Sequence, residues 1–486
     1  MSMEKNNLAE NIDQIFNPRS IAIIGASENS GSFGYHFMKY IVDTGYSGDV
    51  YPVSQKKNEI MGIKAYADIS EIPGDVDYVI SCVNASQVLD LIKNSKSKNV
   101  KAVHLFTGRF SETGDSNAAE LEQEIAREAK RQGIRLIGPN CMGLYNPKAK
   151  IVFNYELSLD SGSVGLISQS GGTAGEIARF ASLYGISFSK GISYGNAIDL
   201  NECDYLEYFL WEKETRIIVM YIEGIRDGHR FIDILKRVTS EKPVIILKGG
   251  RSESGIKSVV SHTSSIAGSK IILDYALRQS GAIQVSNIEE LLEVLQAFYY
   301  LPAITGNRVG VFGGGGGKSV LSADECEEGG LNVIDMPERI NNFLEERCPI
   351  LVNWLGNPVD LSILAGFDLP PSDLLLAMAK GSEFDLLIGN CTEDAPMDQD
   401  VWSLMVTMES DVYIEIKKTG LKPVVMVIAN PGLGYGYVDN WRWMKILKLR
   451  EKMIKSGIPI YSSPTRAANA ISKLIGYYQG KMKKAE

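Results

Sequence analysis

Several patterns that define whole classes of protein are missing from this chain. No uninterrupted apolar window of about 18 residues is present, so the sequence predicts no transmembrane helix. The N-terminal stretch from Met1 to Phe16 lacks the apolar run that a secretory signal requires. The six cysteines are scattered without a CxxC pair, which favours reduced thiols in a cytoplasmic protein over disulfides or a metal cluster.

The chain also lacks an excess of positive charge. Lys and Arg number 50 against 59 Asp and Glu, which gives a net charge of -9. This balance disfavours nucleic acid or an anionic membrane as a partner, although a local basic pocket for a phosphorylated ligand is still possible.

Strands and helices alternate along the whole chain, and the length predicts roughly three domains. In the first unit an amphipathic helix is predicted over 117–132, and buried strands are predicted at 20–25, 49–53, 76–83, 102–106 and 135–138. Strands that alternate with helices indicate a parallel sheet with crossover connections. The pattern predicts a Rossmann-like domain at 1–150.

The same alternation continues in two further units. At 151–300, strands are predicted at 164–168, 217–223 and 243–248, with a helix over 174–184. At 301–486, strands are predicted at 306–312, 385–389 and 423–429, with helices over 318–329 and 441–456. The predicted fold class is therefore α/β, with three consecutive doubly wound units.

Histidine is scarce, with four in the chain, and His262 has unusual neighbours. It lies in a run of small and hydroxylated residues, Ser261 to Ser269, which would leave its imidazole unobstructed. That setting suits a nucleophile that accepts and releases a phosphoryl group, while the alternative is a histidine in a polar loop. His36 and His104 have no supporting constellation and are interpreted as structural, and His229 as part of a solvated helix start.

A glycine-containing turn, Gly25 to Gly34, follows the first strand, where helix N–H groups favour a phosphate. It is not a GxGxxG dinucleotide fingerprint, because Ser27 occupies the second glycine position. Lys56 and Lys57 follow the second strand where NAD binding needs a carboxylate. Lysine there suits a phosphorylated ribose, as in coenzyme A or NADP, and the alternative is a turn without a ligand.

A second turn, Ser168 to Thr173, joins a buried strand to a helix and combines hydroxyls with glycines. It is typical of a site for phosphate or a phosphorylated side chain, although small residues there could also serve helix–sheet packing. Glu223 ends another buried strand and could orient an imidazole for phosphoryl transfer. A third turn, Gly313 to Gly317 before Lys318, invites a P-loop interpretation, but that pattern needs a glycine where Phe312 stands.

Together these segments resemble the nucleoside-diphosphate-forming acyl-CoA synthetases, in particular the α subunit of ADP-forming acetyl-CoA synthetase, over nearly the whole chain. The first two units also resemble the α subunit of succinyl-CoA synthetase. The matching segments are Ile24 to Ser27, Tyr51 to Val53, Ile137 to Gly143, Ser168 to Gly172, Ser193 to Asp199 and Ser261 to Thr263.

The resemblance implies roles for particular residues. It implies that His262 becomes phosphorylated and that Glu223 supports it. It implies a phosphate site at Ser168, Ser170, Gly171 and Gly172. It implies a coenzyme A site at Gly25, Ala26, Ser27, Ser32, Val53, Lys57, Asn140 and Cys141. The third unit resembles the ligase-CoA domain, a succinyl-CoA synthetase-like flavodoxin fold that helps to build the acyl and phosphate site.

The resemblance also implies a partner. The family handles its nucleotide with an ATP-grasp module, and the three units already fill this chain. We therefore expect a separate ATP-grasp β subunit in an α2β2 assembly that holds most of the ADP or ATP and its Mg²⁺, with no metal site predicted here. The substrates would be CoA, phosphate and a small carboxylic acid.

Two departures from the family pattern leave the acid open. The third turn has Phe312 and five glycines in place of Asn-Ala-Gly-Gly-Pro-Gly, and Ser264 replaces a glycine after the histidine. Acetate, a branched or aromatic acid and a dicarboxylate all remain candidates. Three other functions compete: a non-catalytic CoA-binding regulatory protein, an NADP-dependent oxidoreductase, and a P-loop NTPase.

Overall fold

A computed structural model describes residues 2–257, 270–391, 393, 397–429 and 440–485. The chain forms two compact units, Met1–Ile288 and Glu289–Glu486. Within the described ranges, the first unit contains two β-sheets and the second contains one, and short antiparallel strands form a small ribbon beside the first sheet. The α/β class with parallel sheets that the sequence predicts is confirmed.

The first sheet has five parallel strands. They are β1 (Ser20–Ile24), β2 (Asp49–Val53), β5 (Tyr78–Ser81), β6 (Ala102–Leu105) and β7 (Arg135–Ile137), with β3 (Glu59–Ile60) and β4 (Ile63–Lys64) in the ribbon. The helices are α1 (Ser2–Phe16), α2 (Phe33–Asp43), α3 (Ala85–Asn94) and α4 (Ser116–Gln132). Every residue of β1, β5 and β6 is buried, as expected for short apolar strands covered on both faces.

The second sheet has five parallel strands and one antiparallel edge strand. They are β8 (Gly143–Tyr145), β9 (Ser161–Ser168), β10 (Phe188–Ser193), β11 (Ile217–Ile222), β12 (Val244–Lys248) and β13 (Ile283–Val285). The helices are α5 (Gly171–Leu183), α6 (Glu202–Trp211), α7 (Gly228–Glu241) and α8 (Lys270–Gln279). The edge strand β8 pairs antiparallel with β10, so the chain enters the second sheet before residue 150.

The second unit contains the third sheet. Its strands are β14 (Arg308–Gly313), β15 (Asn332–Val333), β16 (Leu386–Asn390), β17 (Val424–Val427) and β18 (Ile460–Tyr461). Its helices are α9 (Ile288–Tyr300), α10 (Gly316–Glu328), α11 (Glu338–Arg347), α12 (Leu361–Leu364), α13 (Pro371–Lys380), α14 (Gln399–Thr419), α15 (Trp441–Lys455) and α16 (Pro464–Ala485).

All three sheets repeat one topology. Their parallel strands run in the order β2-β1-β5-β6-β7, β10-β9-β11-β12-β13 and β15-β14-β16-β17-β18. In each sheet the strand order reverses between the first and third parallel strands. Ligands of open α/β sheets bind in the crevice beyond the strand ends at this reversal. The topology therefore points to the residues that follow β1 and β5, β9 and β11, and β14 and β16.

The N-terminal helix α1 shows how tertiary contacts decide an element that the sequence pattern did not predict. Its Phe16 ring stacks on Tyr208 of α6, with 5.0 Å between ring centroids. The Tyr208 hydroxyl donates a hydrogen bond to Asp13 of α1 at 2.8 Å. The helix is therefore held against the second sheet's helices through an aromatic contact and a polar one.

Candidate functional site

One cleft in the first unit brings together the strand ends of the first and second sheets. Its volume is about 870 Å³. Eight residues singled out from the sequence line it: Gly25, Ser32, Asn140, Cys141, Ser170, Gly171, Gly172 and Glu223. Because these residues come from segments far apart in the chain, the folded structure makes a single site of two predicted ones.

Three helices begin at this cleft. Ser32 caps α2, Asn84 caps α3 and Ser170 caps α5, and all three capping residues line the cleft. The N-terminus of a helix presents unpaired N–H groups and the positive end of the helix dipole. The cleft therefore has three places that favour phosphate or another oxyanion.

The turn after β1 is held by the neighbouring strand. The N–H groups of Gly25 and Ala26 donate to the carbonyl of Val53, at 3.0 and 3.2 Å. A side chain at Gly34 would place its Cβ 2.0 Å from the Gly25 carbonyl oxygen, so only glycine allows this close approach. Ala26 is buried, and Val53 contributes its carbonyl to the turn rather than to the cleft wall.

Two residues that were predicted to bind coenzyme A instead have side chains that contact neighbouring residues. The Ser27 hydroxyl accepts a hydrogen bond from the Asn29 N–H at 3.0 Å. The Lys57 ammonium forms a surface ion pair with Glu28 at 3.2 Å. Neither side chain is among the residues that line the cleft, so a coenzyme A phosphate would have to draw Lys57 away from Glu28.

The turn after β9 combines one inward hydroxyl with an open glycine pair. Ser168 is buried, and its hydroxyl donates to the Ser170 carbonyl at 2.7 Å, so Ser168 shapes the turn without lining the cleft. The Ser170 hydroxyl accepts from the Thr173 N–H at 3.3 Å and caps α5. The N–H groups of Gly171 and Gly172, in the first turn of α5, are left for an oxyanion.

Glu223 follows β11 and is buried at the cleft. The Tyr221 hydroxyl donates to its carboxylate at 3.0 Å. The amide oxygen of Gln169 accepts from the N–H groups of Glu223 and Gly224, at 2.7 and 3.0 Å. Gln169 therefore ties the segment that bears the carboxylate to the Ser170 turn, a positioning role that sequence reasoning missed.

The segment that joins the two sheets contributes Asn140, Cys141 and Met142 to the lining of the cleft. Gly195 approaches it so closely that a Cβ there would lie 2.1 Å from the Pro139 carbonyl oxygen. His104 is buried, and its Nε2 donates to the Cys141 carbonyl at 3.0 Å. Burial lowers the pKa of His104 to about 4, so the ring is neutral and structural, as predicted.

Burial also raises the pKa of the Cys141 thiol well above its usual range. A thiol that stays protonated is a poor nucleophile. Cys141 therefore lines the cleft as a small neutral side chain and does not act as a thiolate.

Two cleft residues were not assigned to the site from the sequence. Arg109 lies on the loop after β6, where its backbone has a φ of 75°. Asn196 follows β10, and its side-chain amide donates to Glu112 at 2.8 Å. Arg109 belongs to no motif, and Asn196 belongs to the matching segment Ser193 to Asp199, which was given no ligand role. Only the packing of the two sheets brings both residues to one cleft.

The predicted phosphohistidine, His262, lies outside the described residues. The solvated helix start is confirmed: Asp227 caps α7, and its carboxylate accepts from the Arg230 N–H at 2.9 Å.

Across the described ranges, no group of three or more His, Cys, Asp or Glu side chains could hold a metal ion. None of the helices within those ranges is long and apolar enough to cross a membrane.

The glycine turn of the third sheet is built differently from a P-loop. Phe312 is buried within β14, and α10 begins at Gly316 with Gly315 at its cap position. The Lys318 ammonium pairs with the mostly buried carboxylate of Glu393, which follows β16, at 3.3 Å. A P-loop lysine reaches for nucleotide phosphates, whereas this lysine is already paired with a carboxylate.

Two family models match the N-terminal part of the chain. Residues 19–147 match a CoA binding domain, and residues 161–298 match a succinyl-CoA ligase-like flavodoxin domain. The α subunit of the ADP-forming acetate–CoA ligase II of Pyrococcus furiosus is 36% identical over 467 residues, which covers 96% of this chain and 97% of that one.

Two further similarities are to a longer ligase and to a solved structure of nearly the same length. An ADP-forming acetate–CoA ligase of Methanocaldococcus jannaschii is 37% identical over 345 residues, 71% of this chain but 48% of that longer one. The solved structure of the dinucleotide forming acetyl-coenzyme A synthetase 1 of Ca. Korarchaeum cryptofilum, in complex with phosphate and ADP, has a TM-score of 0.82. It is 29% identical in sequence, with 98% of each chain covered.

Proposed function

We propose that this chain, which belongs to the family of ADP-forming acetate–CoA ligase α subunits, is the CoA-binding and phosphohistidine subunit of an acyl-CoA ligase. The overall reaction is acyl-CoA + phosphate + ADP ⇌ carboxylic acid + CoA + ATP. The observation that supports it most directly is the single cleft shared by the Gly25 turn, the Ser170 turn and Glu223.

Coenzyme A binds along the first sheet in this proposal. The N-termini of α2 and α3 supply N–H donors for its phosphates, and the Asn140–Cys141 segment lies beside the thioester. Ser32 and Asn140 line this part of the cleft, whereas Ala26 and Val53 hold the turn in shape. Lys57 would exchange its surface partner Glu28 for a phosphate.

The chemistry has three reversible steps. A phosphate oxygen attacks the thioester carbonyl; a C–O bond forms, the C–S bond breaks, and CoA leaves as a thiolate that takes up a proton. An imidazole nitrogen of His262 then attacks phosphorus, forming a P–N bond as the acyl carboxylate leaves. The phosphoryl group finally moves from His262 to ADP on the partner.

The described residues assist this chemistry mainly by position and charge. The N–H groups of Gly171 and Gly172 hold the phosphoryl oxygens at the positive end of α5. The Glu223 carboxylate accepts a hydrogen bond from one N–H of the imidazole, which keeps the other ring nitrogen free to attack. Gln169 and Tyr221 hold Glu223 in place for this purpose.

The nucleotide site belongs to a partner. Relatives of matching length are named α subunits, which supports a second subunit. We propose that it is an ATP-grasp β subunit in an α2β2 assembly and holds ADP or ATP with Mg²⁺, which would neutralise charge on the transferring phosphoryl group. The division at 1–150, 151–300 and 301–486 and a cytoplasmic location are parts of the same proposal.

The first two steps can be tested on this chain alone. We would incubate it with ³²P-labelled phosphate and a panel of acyl-CoA esters, and measure free thiol and protein-bound label. The expected label is acid-labile and base-stable, and His262→Asn should abolish it. His229→Asn is the matched variant, because His229 is exposed at the start of α7.

Two outcomes would overturn the proposal. Label that persists in His262→Asn would remove the phosphohistidine. Binding of CoA without release of thiol from any ester, with or without the partner, would instead favour the regulatory protein.

A further inference from the structure

The loop after β6 puts an exposed arginine at the cleft. Arg109 is among the residues that line the cleft, and its side chain is exposed. The described residues offer its guanidinium no ion-pair partner. A guanidinium presents five N–H donors in a planar fork that matches carboxylate and phosphate oxygens.

The backbone at Arg109 is held in a conformation that a side chain disfavours. Its φ of 75° lies in the left-handed region, which is unfavourable for a residue other than glycine. The Glu112 carboxylate accepts from the N–H groups of Arg109 and Phe110, and it also accepts from the Asn196 side chain at 2.8 Å. Contacts from both sheets therefore hold the loop, and strain of this kind clusters at ligand sites.

Charge in the cleft makes this arginine distinctive. Among the described residues that line it, Arg109 is the only cation and Glu223 the only carboxylate. The two cysteines that line the cleft stay neutral, because burial raises the pKa of Cys82 to about 12 and raises that of Cys141 further. An anionic ligand in this cleft would therefore find its complementary side-chain charge at Arg109.

We propose that Arg109 is a specificity-determining residue whose guanidinium binds an oxyanion of the substrate. The oxyanion is either a phosphate of coenzyme A or a second carboxylate on the acid. The proposal rests on the proposed function, because the cleft must receive the acyl-CoA. It adds to the site a residue that distinguishes substrates by their charge and that no motif in the sequence indicates.

The left-handed backbone allows a sharp experiment. Arg109→Gly removes the side chain and also relieves the backbone, so the unfolding midpoint should stay equal or rise. Arg109→Gln removes the charge and keeps the strain. Arg127→Gln removes an exposed arginine from α4 of the same domain and serves as the matched variant.

Binding would be measured by calorimetry on the whole chain with CoA and with dephospho-CoA. KM and kcat would be measured with the partner on propionate and on succinate. A charge-assisted hydrogen bond is worth about 1.5–3 kcal/mol, or roughly 10- to 100-fold in affinity. Both Arg109 variants should bind one ligand class more weakly by this factor, seen as a higher Kd for CoA or a higher KM for the acid, with kcat changed little. Arg127→Gln should leave both affinities unchanged.

The CoA calorimetry and the kinetics with the two acids together identify the oxyanion that Arg109 binds. A loss with CoA that disappears with dephospho-CoA assigns the 3′-phosphate, and an equal loss with both assigns the diphosphate. A loss confined to succinate assigns the acid. Unchanged CoA affinity and unchanged KM for both acids, in folded Arg109→Gly and Arg109→Gln, would overturn the proposal.

Calorimetry keeps this test separate from that of the proposed function. A wild-type chain that binds CoA yet never releases thiol from an ester would contradict the ligase function alone. Arg109 would then still be tested by CoA affinity.

Discussion

The strand ends of the second and third sheets are built on the same plan and differ in one charge. In both sheets a glycine turn follows the first parallel strand, and a buried glutamate follows the third: Glu223 after β11 and Glu393 after β16. Glu393 accepts from Lys318 and from the Ala429 N–H. The Glu223 carboxylate accepts from a neutral tyrosine hydroxyl and forms no ion pair among the described residues, whereas the Lys248 ammonium donates to the Glu223 main-chain carbonyl.

This difference indicates how the two ends are used. A carboxylate that is paired with an ammonium is neutralised and stabilises its own sheet. A buried carboxylate whose side-chain partner is a hydroxyl has no ammonium beside it, so it can accept a hydrogen bond from a ligand group such as an imidazole N–H. Among the described residues, the same topology thus presents a carboxylate without an ion pair at the edge of the second sheet and a charge-compensated carboxylate at the edge of the third.

Removing the charge of Glu223 should have the largest effect. Glu223→Gln keeps the shape and still accepts from Tyr221, but it holds an imidazolium less well. We expect overall turnover and the rate of His262 phosphorylation to fall by about 100-fold or more. Glu393→Gln is the matched variant with a smaller effect. An equal fall of turnover in both variants would contradict the difference drawn here between Glu223 and Glu393.

Buried carboxyls also distinguish the two units in their response to pH. Burial raises the pKa of Glu409 on α14 from 4.5 to about 8, so between these values the folded state holds a proton that the unfolded chain releases. Stability of the second unit should therefore fall as pH rises from about 5 to 8. In the first unit, burial also raises the pKa of Glu202, but hydrogen bonds from backbone N–H groups oppose that effect.

Glu409→Gln should flatten this pH dependence. Four of the five tryptophans lie in the second unit, so tryptophan fluorescence during urea unfolding reports mainly on it. The slope of unfolding free energy against pH would be compared for the variant and the wild type. An unchanged slope would show that Glu409 is not the group responsible.

The helix caps at the two turns should differ by about 1 kcal/mol. Ser170 caps α5 with its hydroxyl, whereas Gly315 caps α10 without a side-chain hydrogen bond. Ser170→Ala should cost about 1 kcal/mol of unfolding free energy, while Gly315→Ser should gain a few tenths. A Cβ at Gly315 meets no atom within 4 Å, so the added side chain has room. Urea unfolding of each variant measures both, and a destabilised Gly315→Ser would contradict this account.

The Lys318–Glu393 pair should have the smallest effect. The Lys318 side chain is 43% exposed, so solvent screens the pair. A double-mutant cycle with Lys318→Met and Glu393→Gln should give a coupling of about 0.2–1 kcal/mol. The coupling should shrink in high salt. A coupling well above this range would indicate that the Lys318–Glu393 ion pair stabilises the third sheet more than the exposure of Lys318 suggests.

Much of the fold followed from local pattern. Short apolar strands such as Ile21 to Ile24, followed by glycine turns and amphipathic helices, predict parallel α/β sheets because each covered strand must be apolar on both faces. The turns at Gly25 and Ser168 were found for the same reason, since their small residues mark strand-to-helix connections. Helix α1 was missed because its packing partner Tyr208 is almost 200 residues away.

The site was predictable only in part. Glu223 and the Ser170 turn belong to recognisable strand ends. The positions of Gln169, Arg109 and Asn196 in the site were not predicted, because they depend on contacts between segments that are distant in the chain. Ser168 and Val53 were assigned to ligands, whereas their hydroxyl and carbonyl make hydrogen bonds within the turns. The roles assigned to His262 and Lys57 stay predictions.

The amino-acid sequence by itself determined the α/β class, the three glycine turns and the family, because these depend on hydrophobic period, backbone freedom and residue order. Tertiary structure decided that the first two turns share one cleft and that Arg109 lies at that cleft. It also decided that, among the described residues, the carboxylate of Glu393 forms an ion pair and that of Glu223 does not. Such juxtapositions arise when separate sheets pack together, and no local pattern encodes the distance between residues brought together in that way.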